Sequence, residues 1–349
     1  MHVLLVDDSS VSRLLLRSIL EQVGFRVSEA EHGQAALDQL SALQPDLITM
    51  DVHMPGLDGF ETTRRIMQQH PLPIVIVTSG INLPGAQTAM QALEAGALMV
   101  LEKPISPTDP HFQQRAEVLS SSLQYLAHTA VRQPSPSAEA QASTLLSLQH
   151  WLHRPFRVLV LGASAGGPPA IKILLNRLNP ACPWPILLVQ HISPGFAGNY
   201  CEWLASQTTM PVQLASHGQV AQPGHIYVAP DDQHLRVDAC LQLSLDQSAR
   251  QPFIRPAIDE LFDSTASQMR GHAIAVLLSG MGRDGVEGLS RLKALGALTL
   301  VQSPTSAVVD GMPKAAINQH AACYVETPGG MAAILNHLMQ QTDCHKTAN

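Results

Sequence analysis

The sequence is poor in charge, and in positive charge above all. Only 14% of its 349 residues are charged, compared with about 25% in a typical globular protein. The lysines and arginines form no long cluster, and the formal net charge is −7. Because proteins that bind nucleic acids usually present a basic face, this composition argues against a nucleic-acid partner.

The chain also has few cysteines and no long apolar run. The five cysteines are scattered without a C-x-x-C pair, so the spacing indicates neither a zinc site nor a disulfide framework. No run reaches the roughly 18 apolar residues of a membrane helix. The opening MHVLLVDDSS lacks the basic start and long apolar stretch of a signal peptide. We therefore expect a cytoplasmic protein with reduced thiols that is not embedded in a membrane.

Strand-like and helical patterns alternate along two separate parts of the chain. Short apolar runs such as VLLV at 3–6 and IVIV at 74–77 are separated by segments with helical spacing. This alternation predicts an α/β fold with two doubly wound, mainly parallel sheets. A Pro- and Ser-rich stretch between the two series is typical of a linker. We predict a first domain over 1–128, a linker with a short helix over 129–155, and a second domain with a β-hairpin over 156–349.

Acidic residues follow strands of the first domain. Asp7 and Asp8 come after the first strand and Asp51 after the third, while Thr78 and Lys103 end the fourth and fifth. Since ligands bind beyond the carboxyl ends of parallel strands, these side chains should meet in one pocket. Clustered carboxylates favour a hard cation such as Mg²⁺. The hydroxyl and the ammonium could contact an oxyanion carried by Asp51.

These residues resemble the receiver domains of response regulators, which have a flavodoxin-like fold. The resemblance implies that a histidine kinase phosphorylates Asp51, that Asp7, Asp8 and Asp51 hold Mg²⁺, and that Thr78 and Lys103 contact the phosphoryl group. The matching motifs are DD (7–8), MDVHMPGLDG (50–59), VTSG (77–80) and EKP (102–104). Two positions depart from the family: Val100 replaces a common aromatic residue, and His53 replaces a common acid or amide.

The turn LGASAGG at 161–167 joins a strand-like run to a helical one in the second domain. A dinucleotide site is disfavoured, because Ser164 fills the second glycine position of G-x-G-x-x-G and no acid ends the next strand. The alternative G-x-S-x-G pattern predicts that Ser164 is an exposed nucleophile on a sharp turn. A non-catalytic module remains the third interpretation.

A serine nucleophile needs a base. The candidate histidines can be distinguished by whether they follow or precede a predicted strand. His191 directly follows the strand ILLVQ, so it lies at the same sheet edge as Ser164. His217 also follows a strand and stays possible. His225 and His272 precede strands and should lie at the opposite edge.

The orienting acid of a triad is expected at the same edge. Asp284 lies in SGMGRDG, beyond the strand AIAVLLS. Asp231 and Asp232 are rivals, and Asp284 could instead cap a helix that begins near Val286. The chain order Ser, His, Asp differs from that of α/β-hydrolases, so an ordinary member of that class is not expected.

The second domain resembles the catalytic domain of chemotaxis-type protein-glutamate methylesterases, for which we expect a Rossmann-like three-layer architecture. The resemblance implies that Ser164 is the nucleophile, His191 the general base and Asp284 the orienting acid, with the Met281 N–H in the oxyanion hole. The matching motifs are GASAGG (162–167), QHISPGF (190–196), GHIYVAP (224–230), RPAIDELF (255–262), LSGMGRDG (278–285) and VVDGMPKAAI (308–317). Ala165 and Arg283 depart from the common family residues.

Together the two resemblances imply a monomeric, phosphorylation-regulated esterase. Its substrates would be glutamate γ-methyl esters on methyl-accepting receptors, with methanol released and no cofactor for the esterase step. Deamidation of receptor glutamines by the same site is a second possibility. A receptor-binding module with weak or no esterase activity is the alternative outside enzymes.

Overall fold

A computed structural model of the chain describes residues 1–78, 85–127, 148–152, 154–248 and 254–344, without the side chains of 85–89 and 341–344. The chain forms two compact units, which are described in turn. No helix in the described ranges is long and apolar enough to span a bilayer.

The first unit is built on a five-stranded parallel sheet in the order β2-β1-β3-β4-β5. Its central strands are continuous apolar runs with both faces buried, as expected for parallel strands between two helix layers. In chain order the elements are β1 His2–Val6, α1 Ser10–Gln22, β2 Arg26–Ala30, α2 Gly33–Leu43, β3 Leu47–Met50, α3 Gly59–Gln69, β4 Ile74–Thr78, α4 Gly85–Glu94, β5 Met99–Glu102 and α5 Phe112–Leu126.

Side chains cap the start of α1 and the start of α3 in this unit. The Ser9 hydroxyl accepts a hydrogen bond from Ser12 N at 3.3 Å at the start of α1. The Asp58 carboxylate accepts one from Glu61 N at 2.8 Å at the start of α3. Such caps satisfy peptide N–H groups that have no partner within the helix. They fix the loops that follow β1 and β3.

The second unit contains a seven-stranded parallel sheet in the order β14-β13-β12-β6-β7-β9-β8 and an antiparallel hairpin, β10–β11. The strands are β6 Val158–Ala163, β7 Ile186–Gln190, β8 Val212–Leu214, β9 Ile226–Val228, β10 His234–Val237, β11 Leu243–Asp246, β12 Ala273–Leu277, β13 Leu298–Gln302 and β14 Tyr324–Glu326. The helices are α6 Gly167–Arg177, α7 Ala197–Gln207, α8 Ile258–Met269, α9 Val286–Ala294, α10 Gly311–Asn318 and α11 Pro328–Cys344.

Helix α8 packs tightly into the core of the second unit. Its side chains Ile258, Leu261 and Phe262 are fully buried in a cluster that includes strand residues and Leu235 of the hairpin. Burying an aliphatic or aromatic side chain of this size stabilises the fold by about 1.5–3 kcal/mol. The apolar face of α8 therefore fixes where its first turn lies.

The predicted two-part α/β architecture is confirmed, including the hairpin of the second unit. A 3₁₀ helix at Leu148–Trp151 occupies part of the short helix predicted for the linker. Most of the predicted linker, 129–147 and 153, lies outside the described residues. The domain boundaries themselves stay predictions.

Candidate active site and phosphoacceptor pocket

Three carboxylates meet at the carboxyl edge of the first sheet. Val6 of β1 is paired with Met50 of β3, so Asp7 and Asp51 leave adjacent strands side by side. One carboxylate oxygen from each of Asp7, Asp8 and Asp51 lies within 4.8 Å of the others. Oxygen ligands at such spacing fit a hard divalent cation. The sequence predicted that these three carboxylates lie in one pocket, and in the structure they do.

The Lys103 ammonium lies between two of these carboxylates. Its Nζ donates to Asp7 Oδ2 at 2.7 Å and to Asp51 Oδ2 at 2.9 Å. Burial alone would lower the pKa of Lys103, but the two carboxylates raise it above its usual value. Burial raises the pKa of Asp7, and the charge of Asp51 adds to this while Lys103 opposes it. One ammonium does not balance three carboxylates, so the pocket has room for further positive charge.

Thr78 ends β4 at the same edge. Its hydroxyl is buried and has no hydrogen-bond partner among the described residues. The peptide N–H of Lys103 donates to Thr78 O at 2.9 Å, which ties the two strand ends together. A buried hydroxyl without a partner is costly unless a ligand uses it. Thr78 therefore fits a role in contacting a bound group, and no hydrogen bond joins its hydroxyl to Asp51 in the described part of the chain.

Ser164 follows β6 directly, and α6 begins three residues later. Between them Gly166 has φ +69°, in the left-handed region that favours glycine. A Cβ atom at Gly166 would lie 2.8 Å from both Ser279 Oγ and Val308 Cβ. The turn that carries Ser164 therefore depends on glycine for its conformation and for space. Ser164 itself is buried, at 6% exposure, and not exposed as the pattern predicted.

Two residues that the sequence did not single out as site residues hold this turn in place. The Gln190 side chain donates from Nε2 to Ser164 O at 2.8 Å. Ser164 N donates to Ser279 O at 3.0 Å, and Ser279 Oγ donates to Ala165 O at 2.8 Å. Gln190 ends β7 and Ser279 follows β12, the two strands next to β6. Their place at the ends of neighbouring strands is the sequence feature that could have predicted this supporting role. They fix the backbone on both sides of Ser164.

His191 and Asp284 form the direct pair of the predicted triad. Nε2 of His191 is hydrogen-bonded to Asp284 Oδ2 at 2.8 Å. The peptide N–H of His191 donates to Ala163 O at 2.9 Å, one residue before Ser164. Within the described part of the chain, no hydrogen bond joins Ser164 Oγ to the imidazole. Because Nε2 faces the carboxylate, Nδ1 is the ring nitrogen left to act as a base.

Asp284 is buried and held by backbone donors. Its Oδ2 accepts from Ile258 N at 2.6 Å, and its Oδ1 accepts from Asp259 N at 3.1 Å. Burial raises the pKa of Asp284, but the hydrogen bonds from His191 and from these peptides outweigh it and leave the pKa lowered. Asp284 therefore binds the start of α8, whereas Gly285 is the N-cap of α9 at Val286.

The loop that carries Met281 runs next to the nucleophile. A Cβ added to Gly280 would lie 2.8 Å from Ser164 Cβ and 2.1 Å from Met312 Sδ. Backbone hydrogen bonds also join Gly280 to the segment before and at the start of α10. Its N–H donates to Val309 O at 3.0 Å, and its carbonyl accepts from Met312 N at 2.9 Å. Gly280, the residue before Met281, therefore packs against Ser164, and the role of the Met281 N–H stays a prediction.

The rival residues lie elsewhere and have other partners. Rings of His225 and His272 are hydrogen-bonded to the carbonyls of Pro223 and Pro155, respectively. The His217 ring accepts from Leu245 N at 3.2 Å. Asp232 is paired with Arg255 at 2.7 Å. Of the candidate bases and acids with described partners, only His191 and Asp284 are bonded to each other.

The fold and the two sites define a class of protein in which one α/β unit has a receiver-type acidic pocket and the other a serine-hydrolase-type site. The sequence profile of the CheB methylesterase family matches residues 159–335, and that of the response regulator receiver domain matches residues 3–111. The chain belongs to the CheB methylesterase family.

Similar proteins cover the whole chain. A protein-glutamate methylesterase/protein-glutamine glutaminase of Hahella chejuensis is 43% identical over 98% of this chain and 99% of its own length. A protein of the same name from Methanospirillum hungatei is 39% identical over 97% of this chain and 99% of its own. The crystal structure of the Thermotoga maritima CheB methylesterase catalytic domain is 34% identical, with a TM-score of 0.51, and covers 52% of this chain and 98% of that domain.

Proposed function

We propose that this protein is a phosphorylation-regulated protein-glutamate methylesterase. It hydrolyses glutamate γ-methyl esters on methyl-accepting receptors and releases methanol, which serves sensory adaptation in a two-component pathway. The observation that carries the proposal is the 2.8 Å hydrogen bond between His191 and Asp284, at the sheet edge where the turn presents Ser164. Residues of these three types, so arranged, form the constellation of acyl-transfer enzymes.

In the acylation step the Ser164 oxygen attacks the γ-carbonyl carbon of the methyl ester. His191 Nδ1 takes the hydroxyl proton, and the imidazolium is stabilised by the Asp284 carboxylate across its Nε2–H. The carbonyl oxygen becomes an oxyanion, to which the Met281 N–H donates. When the tetrahedral intermediate collapses, the bond to the methoxy oxygen breaks. His191 returns its proton to that oxygen, and methanol leaves.

Deacylation repeats the same steps with water as the nucleophile. His191 takes a proton from water, the hydroxide oxygen bonds to the acyl carbon, and the bond to Ser164 Oγ breaks as the serine regains a proton. The products are a glutamate γ-carboxylate on the receptor and unmodified enzyme. This step uses the chain's own residues and no cofactor.

A second candidate activity uses the same intermediate. A glutamine side chain differs from the methyl ester only in its leaving group, so its hydrolysis would release ammonia. The names of the similar proteins include protein-glutamine glutaminase. We propose this activity beside the esterase, with ammonia release as its measure.

Regulation belongs to the first unit. We propose that a histidine kinase transfers a phosphoryl group to Asp51, with Thr78 and Lys103 contacting its oxygens. Asp7, Asp8 and Asp51 would hold Mg²⁺, which neutralises charge on the phosphoryl group when bound. The excess of carboxylates over ammonium in this pocket supports that assignment. A monomeric enzyme in the cytoplasm is part of the same proposal.

The decisive experiment measures methanol release from membranes that contain radiolabelled, methylated receptor. Ser164→Ala should abolish the release, because it removes the attacking oxygen. Ser290→Ala is the matched control, since the Ser290 hydroxyl donates to Val286 O within its own helix, α9. Near-normal release by Ser164→Ala would disprove the mechanism. A wild-type protein that binds the receptor without releasing methanol would support the binding-module alternative.

A further inference from the structure

A buried histidine outside the triad is linked to it through the backbone. His234 begins β10 and is 1% exposed. Its Nδ1 lies 3.1 Å from Ala257 N, and its Nε2 lies 3.1 Å from Ser248 O. The residues after Ala257 are the two whose peptide groups bind Asp284.

The two partners fix the protonation state of this ring. A carbonyl oxygen can only accept, so the Nε2 facing Ser248 carries the hydrogen. A peptide N–H can only donate, so the Nδ1 facing Ala257 carries the lone pair. His234 is therefore a neutral imidazole with both nitrogens satisfied. A second proton on Nδ1 would oppose the Ala257 N–H.

The start of α8 has no capping side chain of its own. Ala257 is the N-cap residue, and no side-chain hydrogen bond is made there. The first peptide N–H groups of a helix have no partner inside it. Here His234 accepts from Ala257, and Asp284 accepts from Ile258 and Asp259. The two side chains thus hold one backbone segment from successive positions.

We propose that His234 is a positioning residue for the triad. It anchors Ala257, so that the N–H groups of Ile258 and Asp259 hold the Asp284 carboxylate in line with Nε2 of His191. In the described part of the chain the His234 ring is hydrogen-bonded to Ala257 and Ser248 and not to Ser164 or His191, so it takes no part in the proton transfers. This role rests on the proposed esterase function, because it assigns His234 to the same site.

A core histidine with a merely structural role would behave differently. Its replacement would lower stability, and activity would fall only as far as the folded fraction fell. A positioning role requires the fully folded variant to lose kcat with little change in KM. It also requires a change at the His191–Asp284 hydrogen bond. The proton of a histidine–carboxylate hydrogen bond gives a far-downfield ¹H resonance, which reports that bond without any substrate.

Two amide substitutions in the full chain separate the ring's two hydrogen bonds. In His234→Asn the amide oxygen can replace Nδ1 as the acceptor for Ala257. In His234→Gln the longer amide can replace Nε2–H as the donor to Ser248, and it leaves Ala257 without an acceptor. Val237→Ala is the stability control, since Val237 is a buried apolar residue of the same strand.

We expect His234→Gln to lower kcat by about 10–100-fold, the usual cost of losing an orienting partner, and to shift or broaden the downfield resonance. His234→Asn should lose less activity than His234→Gln, because its amide oxygen restores an acceptor for the Ala257 N–H. The resonance is assigned by its loss in His191→Gln. Equal activity and an unchanged resonance in the Asn and Gln variants would overturn the proposal, as would an equal shift in Val237→Ala. If wild type released no methanol, the esterase function would fail, while the resonance would still test the positioning.

Discussion

At the carboxyl edge of the first sheet, three carboxylates lie close together, and two of them share one ammonium. At the same edge of the second sheet, one carboxylate receives three hydrogen bonds, from His191, Ile258 and Asp259. The first pocket is left with excess negative charge, which a cation can neutralise before a negatively charged phosphoryl group is added. The second is satisfied before any substrate arrives. One site is built to bind charge from outside, and the other is preorganised for chemistry.

The largest effect should come from removing the charge of the satisfied carboxylate. Asp284→Asn places an NH₂ group against either His191 Nε2–H or a peptide N–H, and it removes the charge that stabilises the imidazolium. We expect kcat to fall by about 10⁴-fold, as in triads that lose their acid. Methanol release under saturating substrate measures this.

Asp238→Asn is the matched control, because Asp238 caps the hairpin turn through a hydrogen bond from Cys240 N at 2.8 Å. That variant should retain nearly full activity. A loss of less than tenfold in Asp284→Asn would show that the preorganised carboxylate is not the orienting acid.

The first pocket should respond to Mg²⁺ where the second does not. A ligand at 100 times its Kd stabilises the state that binds it by about 2.7 kcal/mol. We expect Mg²⁺ to slow hydrogen exchange of the β1 and β3 amides, measured by mass spectrometry, and to leave β6 and β12 unchanged. Asp7→Asn should weaken the effect, whereas Asp38→Asn, on the exposed side of α2, should not. Equal protection of both sheets would contradict the contrast between the sites.

Two glycines with positive φ test the rigidity of the nucleophile turn. Gly166→Ala adds a Cβ that would lie 2.8 Å from Ser279 Oγ, while Gly24 of the first unit has φ +91° and nothing within 4 Å. We expect Gly166→Ala to lower the free energy of unfolding by about 2–3 kcal/mol and Gly24→Ala by about 1 kcal/mol. Urea unfolding measures both. Equal losses in the free energy of unfolding would mean that the Ser164 turn accommodates the added Cβ without strain.

Much of this contrast could be predicted from the sequence, because strand ends are local signals. Asp7, Asp51 and His191 each directly follow a strand, and parallel sheets collect such residues at one edge. The supports were not predictable in the same way. Gln190 meets Ser164 over 26 residues, and Ser279 meets Ala165 over 114. Hydrogen bonds between side chain and backbone over such separations leave no periodic pattern.

The case of Asp284 shows the limit most clearly. Its sequence neighbours suggested the helix at Val286, yet its carboxylate accepts from α8, 26 residues earlier. Which helix start is closest depends on how α8 packs through Ile258 and Phe262. Tertiary packing, and not local sequence, decided the partner.

The smallest expected effect concerns Asp259, which stands beside the satisfied carboxylate. Burial and repulsion from Asp284 raise the pKa of Asp259 to about 6, although Gly288 N donates to it at 2.7 Å. Between pH 4 and 6 the folded state then holds more protons than the unfolded state, so wild-type stability falls as pH rises. Asp259→Asn keeps an acceptor for Gly288 and removes this fall. Relative to wild type, it should gain about 1–2 kcal/mol between pH 4 and pH 7.

Asp109 of the first unit should show the opposite dependence of stability on pH. The N–H of His111 and the guanidinium of Arg115 lower the pKa of Asp109, so its contribution to stability is present above its unfolded pKa and lost as pH falls through the folded pKa. Asp109→Asn should therefore lose stability relative to wild type as pH rises from acid. Urea unfolding from about pH 2 to pH 7 measures both differences, since the Asp109 contribution changes mainly below its ordinary pKa of about 4. If the two stability differences had the same sign, the raised pKa of Asp259 beside Asp284 would be contradicted.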